Sequence, residues 1–222
     1  MKMSDKETLG LISLSIPVVL AHPTLHEPRA FGAKGKETGE KKYSGNFVFE
    51  PDSADLKACK AIAVQVAKAE WPGRDLKELA WPFSNGTKLA DARKAKGKDD
   101  GEFQRGKIVI AARSKYPPAL SGIENGKLVE YDNDASRVAS KSKFYFGVQC
   151  LAELHFKAYK GVGKNPDGVT CYLQQVLQTG KGDRLAKQGD AKSAFSGYLG
   201  NLSTVDPTEG GAAPDVGDEI PF

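Results

Sequence analysis

One run of alternating residues constrains this chain more than any other feature. From Lys143 to Tyr159, Phe144, Phe146, Val148, Cys150, Leu154 and Phe156 fall on one parity. Tyr145, Gln149, Glu153, His155, Lys157 and Tyr159 fall on the other. A period of two places successive side chains on opposite faces, so the run predicts a long strand with one apolar and one wet face. A strand of this length bends, and Gly147 is the natural place.

Shorter runs repeat the pattern. Ile12, Leu14, Ile16, Val18 and Leu20 alternate with Ser13 and Ser15 and predict a first strand over 11–20. Lys42 to Phe49 predicts a second, Lys107 to Lys115 a third ended by Pro117 and Pro118, and Val169 to Gln178 a fifth with Val169, Cys171 and Leu173 inward. Between the second and third, Leu56, Cys59, Ile62, Ala63 and Val66 recur at helical spacing behind the caps Asp52 and Ser53, and Trp71-Pro72-Gly73 stops that helix. Residues 21–42 and 88–101 lack periodicity and are rich in Lys and Arg, which predicts two long basic loops. Five strands, one inserted α-helix and long basic loops suit a mainly β fold, a small closed or nearly closed five-stranded barrel.

The chain falls into two parts, 1–202 and 203–222. Ala191 to Leu202 reads as a short amphipathic helix or turn, and nothing beyond Ser203 can pack except Ile220-Pro221-Phe222. The net charge of +4 conceals an asymmetry, because Asp206, Glu209, Asp215, Asp218 and Glu219 follow Lys192 with no Lys or Arg among them. Without them the body stands at about +9, a balance that favours a polyanionic partner, and an acidic tail on such a body is a means of regulating access to it.

Cys59, Cys150 and Cys171 lie far apart within apolar patterns and predict reduced core residues. No apolar stretch has the length of a membrane span or the form of a leader, so a cytoplasmic protein is expected. Neither a phosphate loop nor a nucleophile with its base is present. His22 and His26 sit beside Pro23 and Pro28, which prevent a helical histidine pair. No enzyme, cofactor or metal is therefore expected. His155 reads as a surface histidine, and Trp71, Trp81, Phe83, Phe144 and Phe146 as packing residues.

The end of the sequence, Asp218-Glu219-Ile220-Pro221-Phe222, resembles the C-terminal tip of bacterial single-stranded DNA-binding proteins, with Glu219 where those have a second Asp. The body, through Lys42-Tyr43-Ser44-Gly45-Asn46-Phe47, Trp81-Pro82-Phe83, Arg113-Ser114-Lys115-Tyr116-Pro117-Pro118 and Phe144-Tyr145-Phe146-Gly147, resembles phage single-stranded DNA-binding proteins with one OB-fold, the podophage replication type included. The resemblance implies sequence-independent binding of single strands during phage replication, recombination and repair, in the cytoplasm of an infected bacterial host. It also implies a tail that recruits replication and repair proteins through Asp215, Asp218, Glu219, Ile220, Pro221 and Phe222 while competing with DNA. Duplex DNA or RNA as the ligand, strand annealing and assembly into a homo-oligomer stay open.

Single strands need cations for phosphates and aromatic faces for unstacked bases. On outward parity or beside it stand Arg105, Lys107, Arg113, Lys115, Tyr116, Lys143 and Tyr145, with Lys41 and Lys42 on the second strand. Tyr43 joins them only if Gly45 hosts a bulge, since it otherwise shares the parity of Phe47 and Phe49.

Overall fold

A computed structural model describes residues 9–30, 39–97 and 101–185. The amphipathic segment expected over 191–202 and the whole acidic tail lie outside the described residues, as does the boundary at 202.

In chain order the elements are β1 (Leu11–Ser13), β2 (Val18–Ala30), β3 (Lys41–Phe49), α1 (Ala54–Glu70), β4 (Phe83–Asn85), α2 (Gly86–Lys94), β5 (Ile108–Ser114), β6 (Ala119–Glu124), β7 (Lys127–Glu130), α3 (Asp134–Ser140), β8 (Gln149–Tyr159) and β9 (Gly168–Gly180). The expectation of five strands and one helix undercounts: nine strands join one sheet among the described residues. Five of them pair in a closed circuit. β8 pairs β2, β2 pairs β3, β3 pairs β5, β5 pairs β9 in parallel, and β9 returns antiparallel to β8. β6 continues the β5 side of β9, and β7 extends it as a hairpin.

Inside the circuit lie Leu20, Phe47, Ile110, Leu154, Phe156 and Leu173, all fully buried. Each alternates with an outward neighbour, as sheets with one packed face do. α1 seats Leu56, Cys59, Ala63 and Val66 against β8 and β9. Ser53 caps it by accepting from the Leu56 amide at 3.3 Å. Burial, aided by the nearby Asp55 charge, pushes the Cys59 thiol up to about 12, and burial raises Cys150 and Cys171 as well, so all three stay protonated. Among the described residues no helix is long and apolar enough to cross a membrane.

Four expectations need correction. The first strand is two, because the Ser15 and Ile16 amides donate to Asp55 rather than to a ladder, and Pro17 follows. The loop expected over 21–42 is strand as far as Ala30, since the β2–β3 register shifts at two places that accommodate Pro23 and Pro28. The basic loop expected over 88–101 begins as α2, capped by Asn85, whose side chain accepts from the Lys88 amide at 3.2 Å. The strand expected from Lys143 starts only at Gln149. Gly147, at φ 107°, turns the chain there, and a Cβ on it would meet the Asp183 carbonyl oxygen at 1.9 Å. The β6–β7 hairpin and α3 have no counterpart in the expectations.

Candidate nucleic-acid interface

The outward residues of the circuit form rows across strands, because directly opposed residues share a face. One row runs Thr24, Ser44, Arg113, Tyr172, from β2 through β3 and β5 to β9. The Thr24 and Ser44 hydroxyls lie 2.8 Å apart and close its β2 end. At its other end Arg113 and Tyr172 line a groove of about 330 Å³ with Trp81, Pro82, Ala111, Tyr159, Val169 and Thr170. The Lys157 ammonium lies 5.6 Å from the centre of the Tyr172 ring, and Tyr116, beyond the end of β5, is 79% exposed. Three aromatic side chains and a guanidinium around one open groove supply what an unstacked base and its phosphate require.

The groove is held by a short stitch between 74–81 and the loop after β8. The Ala80 amide donates to the Asp167 carbonyl, and the Val169 amide donates to the Ala80 carbonyl, both at 2.9 Å. The Arg74 guanidinium donates to the Asp167 carboxylate at 2.5 Å, and the Gly161 amide donates to its other oxygen at 2.7 Å. These two bonds hold the Asp167 carboxyl below the ordinary carboxylate range. Gly168 fits against Ala80 only because it lacks a Cβ, which would meet the Ala80 carbonyl oxygen at 2.4 Å.

Where β2 and β3 leave the circuit they form a basic arm. Arg29 stands opposite Lys42 across the ladder, a like-charge pairing that costs stability unless an anion bridges it. Glu40 offsets the Lys42 charge of that pair and bridges it to Lys115, at 3.4 Å from the Lys42 ammonium and 2.6 Å from that of Lys115. The hydrogen bond to Glu40 raises the Lys115 pKa, and the bond from Lys115 lowers that of Glu40.

The sequence-expected site divides. Arg113, Lys115 and Tyr116 gather with Lys42 around the groove and the arm. β3 keeps an unbroken register with β5 from Tyr43 to Phe49, so Gly45 hosts no bulge; Tyr43 and Lys41 have the parity opposite to Lys42. Arg105 stands apart, donating to Glu102 and to Asp91 at 2.9 Å each and so tying the segment before β5 to α2. Lys107 pairs with Glu50 at 2.9 Å.

Beside them the outer face is not open: Ala21, Val48 and Val109 are buried there under Leu89, Phe103 and Phe146. Lys143 bonds Glu124 and stacks over Tyr131, next to the β6–β7 hairpin. Tyr145 donates to the Gly182 carbonyl at 2.7 Å with Arg184 over its ring. His155 is a packed residue rather than a surface one; burial lowers its pKa, and its Nε2 lies 3.3 Å from the Leu9 carbonyl oxygen.

Tyr172, Trp81, Tyr159 and Lys157 are the additions. Tyr172 was legible as the outward residue between Cys171 and Leu173, and Lys157 and Tyr159 share the outward parity of β8. Trp81 left no such signal, because the stitch that brings it to the groove is long-range.

A circuit of strands with cations and open aromatic faces on its outer side defines a β protein equipped to bind a flexible polyanion that carries rings. The chain belongs to the family described as "Enterobacter phage Enc34, ssDNA-binding protein", whose profile matches residues 15–205. Among solved structures it is similar in fold to the single-stranded DNA-binding protein from bacteriophage Enc34, at 19% identity over 84% of this chain and 90% of that one, with a TM-score of 0.57. It is similar also to that phage protein in complex with ssDNA, at 20% identity over 78% of this chain and 88% of that one, with a TM-score of 0.54. No curated protein sequence matches the chain.

Proposed function

We propose that the chain is an OB-fold protein that binds single-stranded DNA without sequence preference, with phosphates along Lys42, Lys115, Arg113 and Lys157 and bases against Tyr172, Trp81, Tyr159 and Tyr116. The closed circuit of β2, β3, β5, β9 and β8, with its one parallel contact, supports the barrel. The observation that carries the binding reading is the adjacency of Arg113 to Tyr172 across β5 and β9, beside an open groove walled by Trp81. The phage relative bound to ssDNA supports the choice of ligand. Equilibrium binding of single-stranded DNA, duplex DNA and RNA across a salt series tests it. Single strands hold tightest, and affinity falls steeply with salt. Equal affinity for all three would replace the reading with general nucleic-acid binding.

In this proposal the protein covers strands during phage replication, recombination and repair in the infected cell. Asp215, Asp218, Glu219, Ile220, Pro221 and Phe222 dock partner enzymes, and the acidic tail competes with DNA for the cations. Removing 205–222 tightens single-strand binding at low salt and steepens its salt dependence, as measured by fluorescence anisotropy. In the full chain Phe222→Ala leaves single-strand affinity within about twofold, since the proposal assigns Phe222 to the partner and no phosphate is lost. An unchanged affinity after truncation would rule out competition by the tail.

A further inference from the structure

We propose that Glu40 is a resident stand-in for a DNA phosphate, holding Lys42 and Lys115 together in the free protein and giving up its place when a strand binds. The proposal rests on the single-strand reading above and assigns one residue of this chain the control of that site. Lys42 belongs to β3 and Lys115 follows β5, and one carboxylate bridges the two ammonium groups with Oε2 toward Lys42 and Oε1 toward Lys115. Two cations about one anion is the arrangement that a phosphate oxygen pair would take between the same side chains.

The need for an anion comes from the arm itself. Arg29 and Lys42 are cross-strand partners, so two cations share one face at the end of the two strands, with Lys41 on the other. Glu40 immediately precedes Lys41 and Lys42 in sequence. It is half exposed, as is Lys115. An exposed pair of this kind contributes little to stability and exchanges readily. It therefore pre-organises the lysines without locking them.

An incoming phosphate does not meet bare lysines that need only displace the DNA's condensed cations. It meets a carboxylate that must swing away and attract a cation of its own. Binding at this point is thus an exchange of one anion for another, which moderates both affinity and its dependence on salt. The control acts on the arm, where Glu40 meets Lys42 and Lys115.

The test uses the full chain and an oligothymidylate, with affinity measured at several salt concentrations for wild type, Glu40→Gln, Lys115→Met, the double variant, and Glu130→Gln as a charge-matched change on β7. Glu40→Gln is expected to bind about fivefold tighter at low salt, with a slope steeper by about 0.7 in log affinity against log salt. Both gains shrink in the Lys115→Met background, where Glu40 has only Lys42 left to release, and Glu130→Gln stays within about twofold of wild type. Equal gains from Glu130→Gln, or gains undiminished without Lys115, would reduce Glu40 to one unit of net charge and overturn the proposal. Failure of wild type to bind the oligothymidylate would overturn the single-strand reading instead.

Discussion

Tyr172→Ala weakens single-strand binding on the order of 10-fold to 100-fold, because each base stacked on an aromatic ring contributes about 1–3 kcal/mol. The residue is 38% exposed and opposes Arg113 across the parallel β5–β9 contact, so its ring lies over the strand pair rather than within the core. Its neighbours Cys171 and Leu173 carry the packing, at 1% and 2% exposure, and the fold keeps its melting temperature when the ring is removed. Arg113→Ala acts differently. In the proposed interface it removes a phosphate partner, so affinity is expected to fall and the salt slope to flatten by about 0.7.

Combining the two separates the contributions further. If Tyr172 and Arg113 hold adjacent parts of one nucleotide, the double variant loses less than the product of the single losses, since neighbours in one contact are not additive. Titration of an oligothymidylate by intrinsic fluorescence or anisotropy reads all three variants. Undiminished affinity in Tyr172→Ala would remove the groove from the binding path and leave only the arm.

What the sequence made legible, and what it hid, divides along the range of the interactions concerned. The parity of β3, β5 and β9 was readable because alternation is local, and it named the inward set Phe47, Ile110, Cys171 and Leu173 together with Arg113 on the outside. It could not show that part of the outer face is roofed. Leu89, Phe103 and Phe146 come from three separate segments to cover Val109, and only their meeting turns Arg105 and Lys107 from open cations into the margin of a packed cluster.

Other misreadings have equally physical causes. The sequence of α2 offers little to bury beyond Leu89 and Ala90, and the helix depends on its Asn85 cap and on a close approach at Gly86, where a Cβ would meet the Gln104 carbonyl oxygen at 1.9 Å. Pro23 and Pro28 argued against a strand, yet the bulged register of β2 tolerates them. Lys143 and Tyr145 were expected on a strand because alternation continued through Gly147, where the backbone turns instead. The acids that neutralise Lys42, Lys107, Lys115 and Lys143 are Glu40, Glu50, Lys115's shared Glu40 again, and Glu124, and except for Glu40 and Lys42 each pair joins residues distant in sequence.

Asp55→Ala is expected to lower the unfolding free energy by about 2–4 kcal/mol, since it strips the hydrogen-bond acceptor from two backbone amides and a hydroxyl. One carboxylate oxygen accepts from the Ser15 amide at 2.7 Å and the Ile16 amide at 2.8 Å, and the other accepts from the Ser15 hydroxyl at 2.8 Å. Asp55 is 7% exposed and sits in the first turn of α1, where the helix dipole favours a negative charge. The three bonds fasten the break between β1 and β2 to the helix that covers one side of the core. They also fix where β2 begins, and with it the inward register of Val18 and Leu20 against β8.

Because the contact lies away from the arm and the groove, the loss falls on folding and spares binding. Denaturant unfolding shows a lower midpoint at unchanged slope, while oligothymidylate affinity, measured well below the transition, stays within about twofold. Asp55→Asn keeps its oxygen toward the two amides and turns its amide nitrogen toward the Ser15 hydroxyl, which then accepts, so it loses only the charge assistance and with it part of the same free energy. A midpoint unmoved by Asp55→Ala would show that water satisfies the Ser15 and Ile16 amides as well as the carboxylate does. In that case the division of the first strand would rest on Pro17 alone, through its missing amide hydrogen and fixed φ.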